Sequence, residues 1–147
     1  MRGSSADKRG FTLIEVLIVI TVLAILAVIV IPGLGAATRK SRETSLLGNL
    51  KHLRDAIERF EANTAAWPPS LSDVMAASGS AISADADGRG MSVDRLAYDG
   101  PYLRTADDSL PGDPFTEVAD WNYDNSTGEV HSSSTLTALD GTAYSAW

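Results

Sequence analysis

Apolar positions along this chain change their rhythm three times, and each rhythm predicts a different element. From Phe11 to Ile31 the residues are apolar apart from Thr12, Glu15 and Thr21, with no polar face at helical or strand period. A helix apolar on every side has to be covered on every side, by lipid or by others of its kind. The run is long enough to span a bilayer, which takes about 20 such residues. Pro32-Gly33-Leu34-Gly35 then interrupts it. Proline removes a helical hydrogen bond and crowds the preceding turn, and glycine lowers helix propensity. The tetrapeptide reads either as a helix end or kink, or as a hinge.

Past the interruption the period becomes helical and one-sided. Leu46, Leu47, Leu50, Leu53, Ala56, Ile57 and Phe60 recur at spacings of three and four, which predicts an amphipathic helix over 36–63. Lys51 with Asp55, Arg54 with Glu58, and Asp55 with Arg59 fall four apart on its other faces. The stripe is too short and irregular for a coiled coil, so a sheet built from the rest of the chain is its expected partner. Trp67-Pro68-Pro69 stops the helix, and Ser70 is placed to cap a short helix over about 70–77. After a small, polar loop at 78–90 come strand-like pieces at 96–98, 102–104, 121–124 and 129–132. Asn125-Ser126-Thr127-Gly128 supplies hairpin chemistry between the last two. The expected class is α+β: a long amino-terminal helix, its second half packed on a small antiparallel sheet within 91–147.

Glu15 is the anomaly in the apolar run. A carboxylate at mid-bilayer costs roughly 2.5–3.5 kcal/mol, so such groups have partners. Near one end of the run the cost is lower, but a counter-charge is still expected. The stretch Arg9-Gly10-Phe11-Thr12-Leu13-Ile14-Glu15-Val16-Leu17-Ile18 resembles the amino-terminal motif of type IV pilins and type II secretion pseudopilins. The resemblance implies a leader, residues 1–10, removed by a prepilin peptidase that cuts between Gly10 and Phe11. It implies N-methylation of Phe11 and makes Glu15 the family's fifth-position glutamate. Family members also have a proline at the place of Pro32.

The cut has a physical meaning of its own. It creates a positive amino group four residues from Glu15, on the same side of a helix. The two charges could pair within a subunit or between neighbours, and attraction grows as the dielectric falls. The resemblance implies the pairing between neighbours, with Glu15, Phe11 and Pro32 as assembly residues. Trp67-Pro68-Pro69-Ser70-Leu71 is similar to the pilin-like segment that follows the long helix. Leu110-Pro111-Gly112-Asp113-Pro114-Phe115 with Trp121-Asn122-Tyr123 is similar to a pseudopilin region, although the Trp-Gly-Asn-Pro-Tyr usual after Asp-Pro is missing.

The implied function is structural: a subunit of the pseudopilus filament of type II secretion, partnered by its own copies, the prepilin peptidase, an inner-membrane assembly platform and minor pseudopilins. Lipid would hold it before assembly. The expected topology is single-pass, amino terminus cytoplasmic, with 11–32 in the inner membrane and 33–147 periplasmic. Arg2, Lys8 and Arg9 fit that orientation, while Arg39, Lys40 and Arg42 on the far side weaken it. A type IV pilin, serving adhesion, motility or DNA uptake, is the alternative within the family. A signal-anchored periplasmic binding module is the alternative outside it.

Composition narrows the chemistry. The 147 residues, room for one domain, carry a net charge of −7. Removing a leader of +2 (Arg2, Lys8 and Arg9 less Asp7) leaves −9 on the remainder. Such a chain has no electrostatic footing on nucleic acid. Cysteine is absent, so packing, assembly or a metal holds the exported part together. Many type IV pilins close a carboxy-terminal loop with a disulfide that this chain cannot make, which leans toward the pseudopilin side. His52 and His131 are the only histidines and read as solvated surface. No zinc site, Cys–His pair, nucleophile elbow or phosphate loop is legible, and no enzyme is expected.

No cofactor is required, and calcium is the one candidate ion. The resemblance places it near the carboxy-terminal hairpin, where Asp113, Asp120, Asp124 and Asn125 are the candidate ligands. Ser83, Asp85, Asp87, Gly88 and Asp94 mimic EF-hand spacing more loosely. In both loops the alternative is turn carboxylates in water.

Overall fold

The computed structural model describes residues 11–147, without the side chains of 29–34. The expected leader, Gly10 included, lies outside the described residues, as does the Pro32 side chain. One α-helix, α1, runs from Leu13 to Thr64. Its backbone stays helical through Pro32, so the helix does not end there. Proline lacks an N–H but its fixed φ fits a helix, and a helix sustained on both sides carries it.

The chain forms two compact units, one ending at Arg39 and one from Lys40 to Trp147. In the first, the large apolar residues from Leu13 to Val28 are all exposed. The Thr21 hydroxyl folds back onto the Leu17 carbonyl at 2.7 Å, so this polar group is satisfied by its own helix. Among the described residues no helix is long and apolar enough to cross a membrane. The expected span, 11–32, includes positions whose side chains lie outside the described set.

In the second unit the helical stripe becomes the core. Leu46, Leu50, Leu53, Ala56, Ile57 and Phe60 are at most 2% exposed. Leu47 is half exposed, because it sits about 100° round the helix from Leu46. Of the expected ion pairs, Arg54 with Glu58 gives way to longer reach. The Arg54 guanidinium donates to the Val130 carbonyl at 3.0 Å and to the Trp147 carbonyl. α1 ends on Ala65, whose φ of 61° is left-handed without glycine's freedom. The Ala65 N–H still closes on the Glu61 carbonyl at 2.8 Å.

Two of the four strand-like pieces form strands. β1 (Asn122–Asp124) pairs antiparallel with β2 (Glu129–His131), Tyr123 opposite Val130. With Trp121, Val130, Ala138 and Tyr144 it covers the α1 stripe. The other two pieces do not pair. Leu96 stands 99% exposed on a turn, where Asp94 Oδ1 accepts the Leu96 and Ala97 N–H groups. Tyr102 and Leu103 both donate their N–H to the Val74 carbonyl, at 2.8 and 3.1 Å. A carbonyl at the end of a short helix takes the hydrogen bonds a sheet would have used. That helix is a 3-10 turn, Leu71–Met75, shorter than expected. Asp73 at its third position accepts the Ser70 N–H at 2.9 Å and the Ser83 N–H at 2.9 Å, tying two loops to its start.

Aromatic side chains fasten the loops through proline carbonyls. Trp121 Nε1 donates to Pro111 at 2.7 Å and Tyr123 Oη to Pro68 at 2.8 Å. Phe60, Tyr98 and Tyr102 meet edge to face, with centroids 5.1 to 6.0 Å apart, and burial pushes the Tyr98 phenol up to about 12.

The hairpin turn depends on Gly128 twice. Its φ is 75°, and a Cβ there would lie 2.6 Å from the Trp67 ring. Gly128→Ala should lower stability by about 2–4 kcal/mol, the left-handed cost plus overpacking. Denaturant melts of the detergent-solubilised chain check this; an unchanged midpoint would mean the hairpin does not rest on Trp67.

Candidate functional site

Thr12 immediately precedes the first helical residue of α1, and Glu15 is the third residue inside. This is the Ser/Thr-x-x-Glu spacing of a capping box, in which two side chains satisfy the unpaired N–H groups of a helix start. The geometry follows. Glu15 Oε2 accepts the Thr12 N–H at 2.8 Å and the Thr12 hydroxyl at 2.7 Å. The Glu15 N–H donates to Thr12 Oγ1 at 3.3 Å. Glu15 is therefore not bare in the single chain. The expected counter-charge is replaced within the chain by Thr12, and Thr-x-x-Glu before an apolar run is the sequence signature of that pairing. Phe11 lies just outside the helix, 84% exposed. With Thr12, Leu13, Val16, Leu17 and Ile20 it lines a shallow apolar depression. The head of the helix thus joins a carboxylate, held on one oxygen, to an uncovered apolar surface.

The calcium candidates are placed otherwise than a cation shell demands. Asp113 is fully buried; its Oδ1 accepts the Phe115 N–H at 2.7 Å and its Oδ2 the Ser132 hydroxyl. Asp120 accepts the Thr116 hydroxyl at 2.6 Å. Asp124 accepts the Ser126 hydroxyl and N–H at 2.6 and 2.8 Å, which hold its carboxyl below the usual range. Asn125 donates to the Pro69 carbonyl at 3.0 Å. Among the described residues no three Asp, Glu, His or Cys side chains converge as metal ligands. As placed, this donor set does not fit calcium, which takes six to eight oxygens.

The looser loop has the same character. Asp87 has no exposed side-chain surface. Its carboxylate accepts the Trp67, Arg89 and Met91 N–H groups and the Arg89 guanidinium, the latter at 2.7 and 2.9 Å. Asp85 pairs with Arg95 at 2.8 Å. His52 is exposed, as expected, but His131 is partly covered and its Nδ1 sits 2.8 Å from the Trp147 carbonyl oxygen. These acids are ties between loops.

Comparison with known proteins points back to the head of the helix. Residues 5–31 match the family described as the prokaryotic N-terminal methylation motif. The chain is 30% identical to a type II secretion system core protein G of Klebsiella pneumoniae over 108 residues, 74% of this chain and 69% of that protein. It is 46% identical to the type IV wide pilus major component PilA4 of Thermus thermophilus over 52 residues, 35% of this chain and 37% of the relative. A core protein G of Pseudomonas aeruginosa is 32% identical over 62 residues, 42% of this chain and 44% of the relative. No solved structure matches the chain significantly.

Two outcomes check the loop assignments. The melting temperature in millimolar calcium should equal that in a chelator, and a rise of more than a few degrees would show the carboxy-terminal acids regrouping around the ion. Burial by itself would raise the Asp87 carboxyl, but the Arg89 guanidinium and the Met91, Trp67 and Arg89 N–H groups outweigh it and hold it low. The folded pKa is depressed, so this stabilisation is present above the unfolded value of about 4 and lost as pH falls through the folded one. Asp87→Asn should therefore be less stable than the parent at pH 7, with the gap closing in acid. A gap independent of pH would remove the charge from the account.

Proposed function

The chain belongs to the type IV pilin and type II secretion pseudopilin family, and on that footing we propose that it is a structural subunit of a type II secretion pseudopilus. One observation carries the choice within the family: the likeness to core protein G runs over 108 residues, well beyond the apolar helix. The likeness to PilA4, though higher in identity, stops at 52. The absence of cysteine leans the same way. PilA4 supports the second reading, a subunit of a surface pilus.

In the proposed mechanism a prepilin peptidase cuts between Gly10 and Phe11, and Phe11 is methylated. The subunit waits in the inner membrane, amino end cytoplasmic and 33–147 periplasmic, until an assembly platform and minor pseudopilins draw it into the filament. Head-to-tail contacts that do not close make such a filament open-ended. Thr12 keeps Glu15 Oε2 in the helix cap. The other oxygen accepts the amino group of a neighbour's Phe11 and sets register. Pro32, inside a continuous α1, serves as the point where the helix adjusts to packing. Members of the family are structural, and nothing in the mechanism calls for catalysis by this chain or for a bound ion.

A strain lacking this chain should retain secreted enzymes in its periplasm, restored by complementation; an unchanged extracellular profile with lost surface fibres would favour the pilus. Glu15→Ala should leave cleavage and membrane insertion intact while cutting filament number at least tenfold. Normal filaments from that variant would end the register argument. The processed mass should be that of Phe11–Trp147 plus one methyl group.

A further inference from the structure

Between Glu15 and Glu43 the chain holds no acidic residue, and its only charges there are Arg39, Lys40 and Arg42. They fall within four consecutive positions of α1, on a protein that otherwise carries an excess of acid. Lys40 and Arg42 are exposed. Arg42 approaches Glu117 at 3.4 Å, with the two side chains 45% and 74% exposed, and such surface pairs hold little. From Phe11 to Arg39 a helix rises about 42 Å at 1.5 Å per residue. A bilayer with its headgroups is about 40–45 Å thick. The first cation therefore falls where the apolar segment, seated in a membrane, would meet the far headgroups.

We propose that Arg39, Lys40 and Arg42 form a collar that docks on the phosphates of anionic phospholipids in the leaflet opposite the amino terminus. The inference rests on the reading that α1 is held in a bilayer before assembly. Guanidinium groups bind phosphate through paired N–H donors. Long basic side chains reach headgroups while their stems stay in apolar surroundings. Each cation near an anionic surface favours it about fivefold. The collar offsets the repulsion between such a surface and the acidic remainder of the chain. It fixes how deep the subunit sits, and its lipid contacts must break when the subunit leaves for a filament.

Because the chain has no cysteine, one can be introduced cleanly. The full chain with Ala36→Cys, carrying an environment-sensitive fluorophore, is inserted into phosphatidylcholine vesicles with and without about one third phosphatidylglycerol. An Ile20→Cys probe serves as the control for insertion. The expected result is a different Ala36 depth in the two lipids, lost in 1 M salt, where the screening length is about 3 Å. The difference is also lost in the Arg39→Gln, Lys40→Gln, Arg42→Gln triple variant. With Ile20 in hydrocarbon, an Ala36 depth that ignores lipid charge overturns the collar and leaves its cations to contacts between subunits. An Ile20 probe in water in both lipids overturns the membrane reading, and the collar with it.

Discussion

The folded part of this chain depends on one stripe. Leu46, Leu50, Leu53, Ile57 and Phe60 lie on a single side of α1 and are buried, and among the described residues no other element is large enough to make a core without them. The strands are three residues long and the remaining helices are short 3-10 turns. A two-stranded hairpin of that length is not stable in water by itself. The sheet and loops form because the helix offers an apolar surface to lie on, and the loops are then tied by buried acids and proline carbonyls rather than by strand pairing.

That division explains what the sequence made legible. The stripe repeats at a fixed period, so it could be counted, and the turn at Asn125–Gly128 carries its own chemistry. The pieces at 96–98 and 102–104 have apolar and aromatic residues like strands, but composition records only which side chains suit a sheet. It does not say whether a backbone N–H finds a strand or, as at Tyr102 and Leu103, a lone carbonyl. Asp87, Asp113 and Asp124 look like metal ligands because oxygen-rich loops serve both purposes. In the structure their oxygens also meet neighbours distant in sequence, such as Ser132 for Asp113, and no local pattern carries that.

At the head of α1 the balance differs. Glu15 drew notice because it is costly in apolar company, and the resemblance supplied its role. Its partner Thr12 lies three residues away and carries no charge, so the cost of Glu15 in apolar company does not point to it. The two roles are compatible: a carboxylate has two oxygens, and both bonds from Thr12 fall on Oε2. Holding the side chain in one rotamer against the helix start also aims the other oxygen, which reduces the ordering cost of any later ionic contact.

The hold of Arg54 on the carbonyls of Val130 and Trp147, 76 and 93 residues away, bears on timing. A ribosome delivers the apolar stripe long before Tyr144, which is fully buried against it. Until the residues beyond 130 emerge, that stripe lacks Val130, Ala138 and Tyr144 from its cover. Contacts that join early and late parts of a chain form slowly. The newly made subunit therefore passes through an interval in which its helix is finished and its core is not.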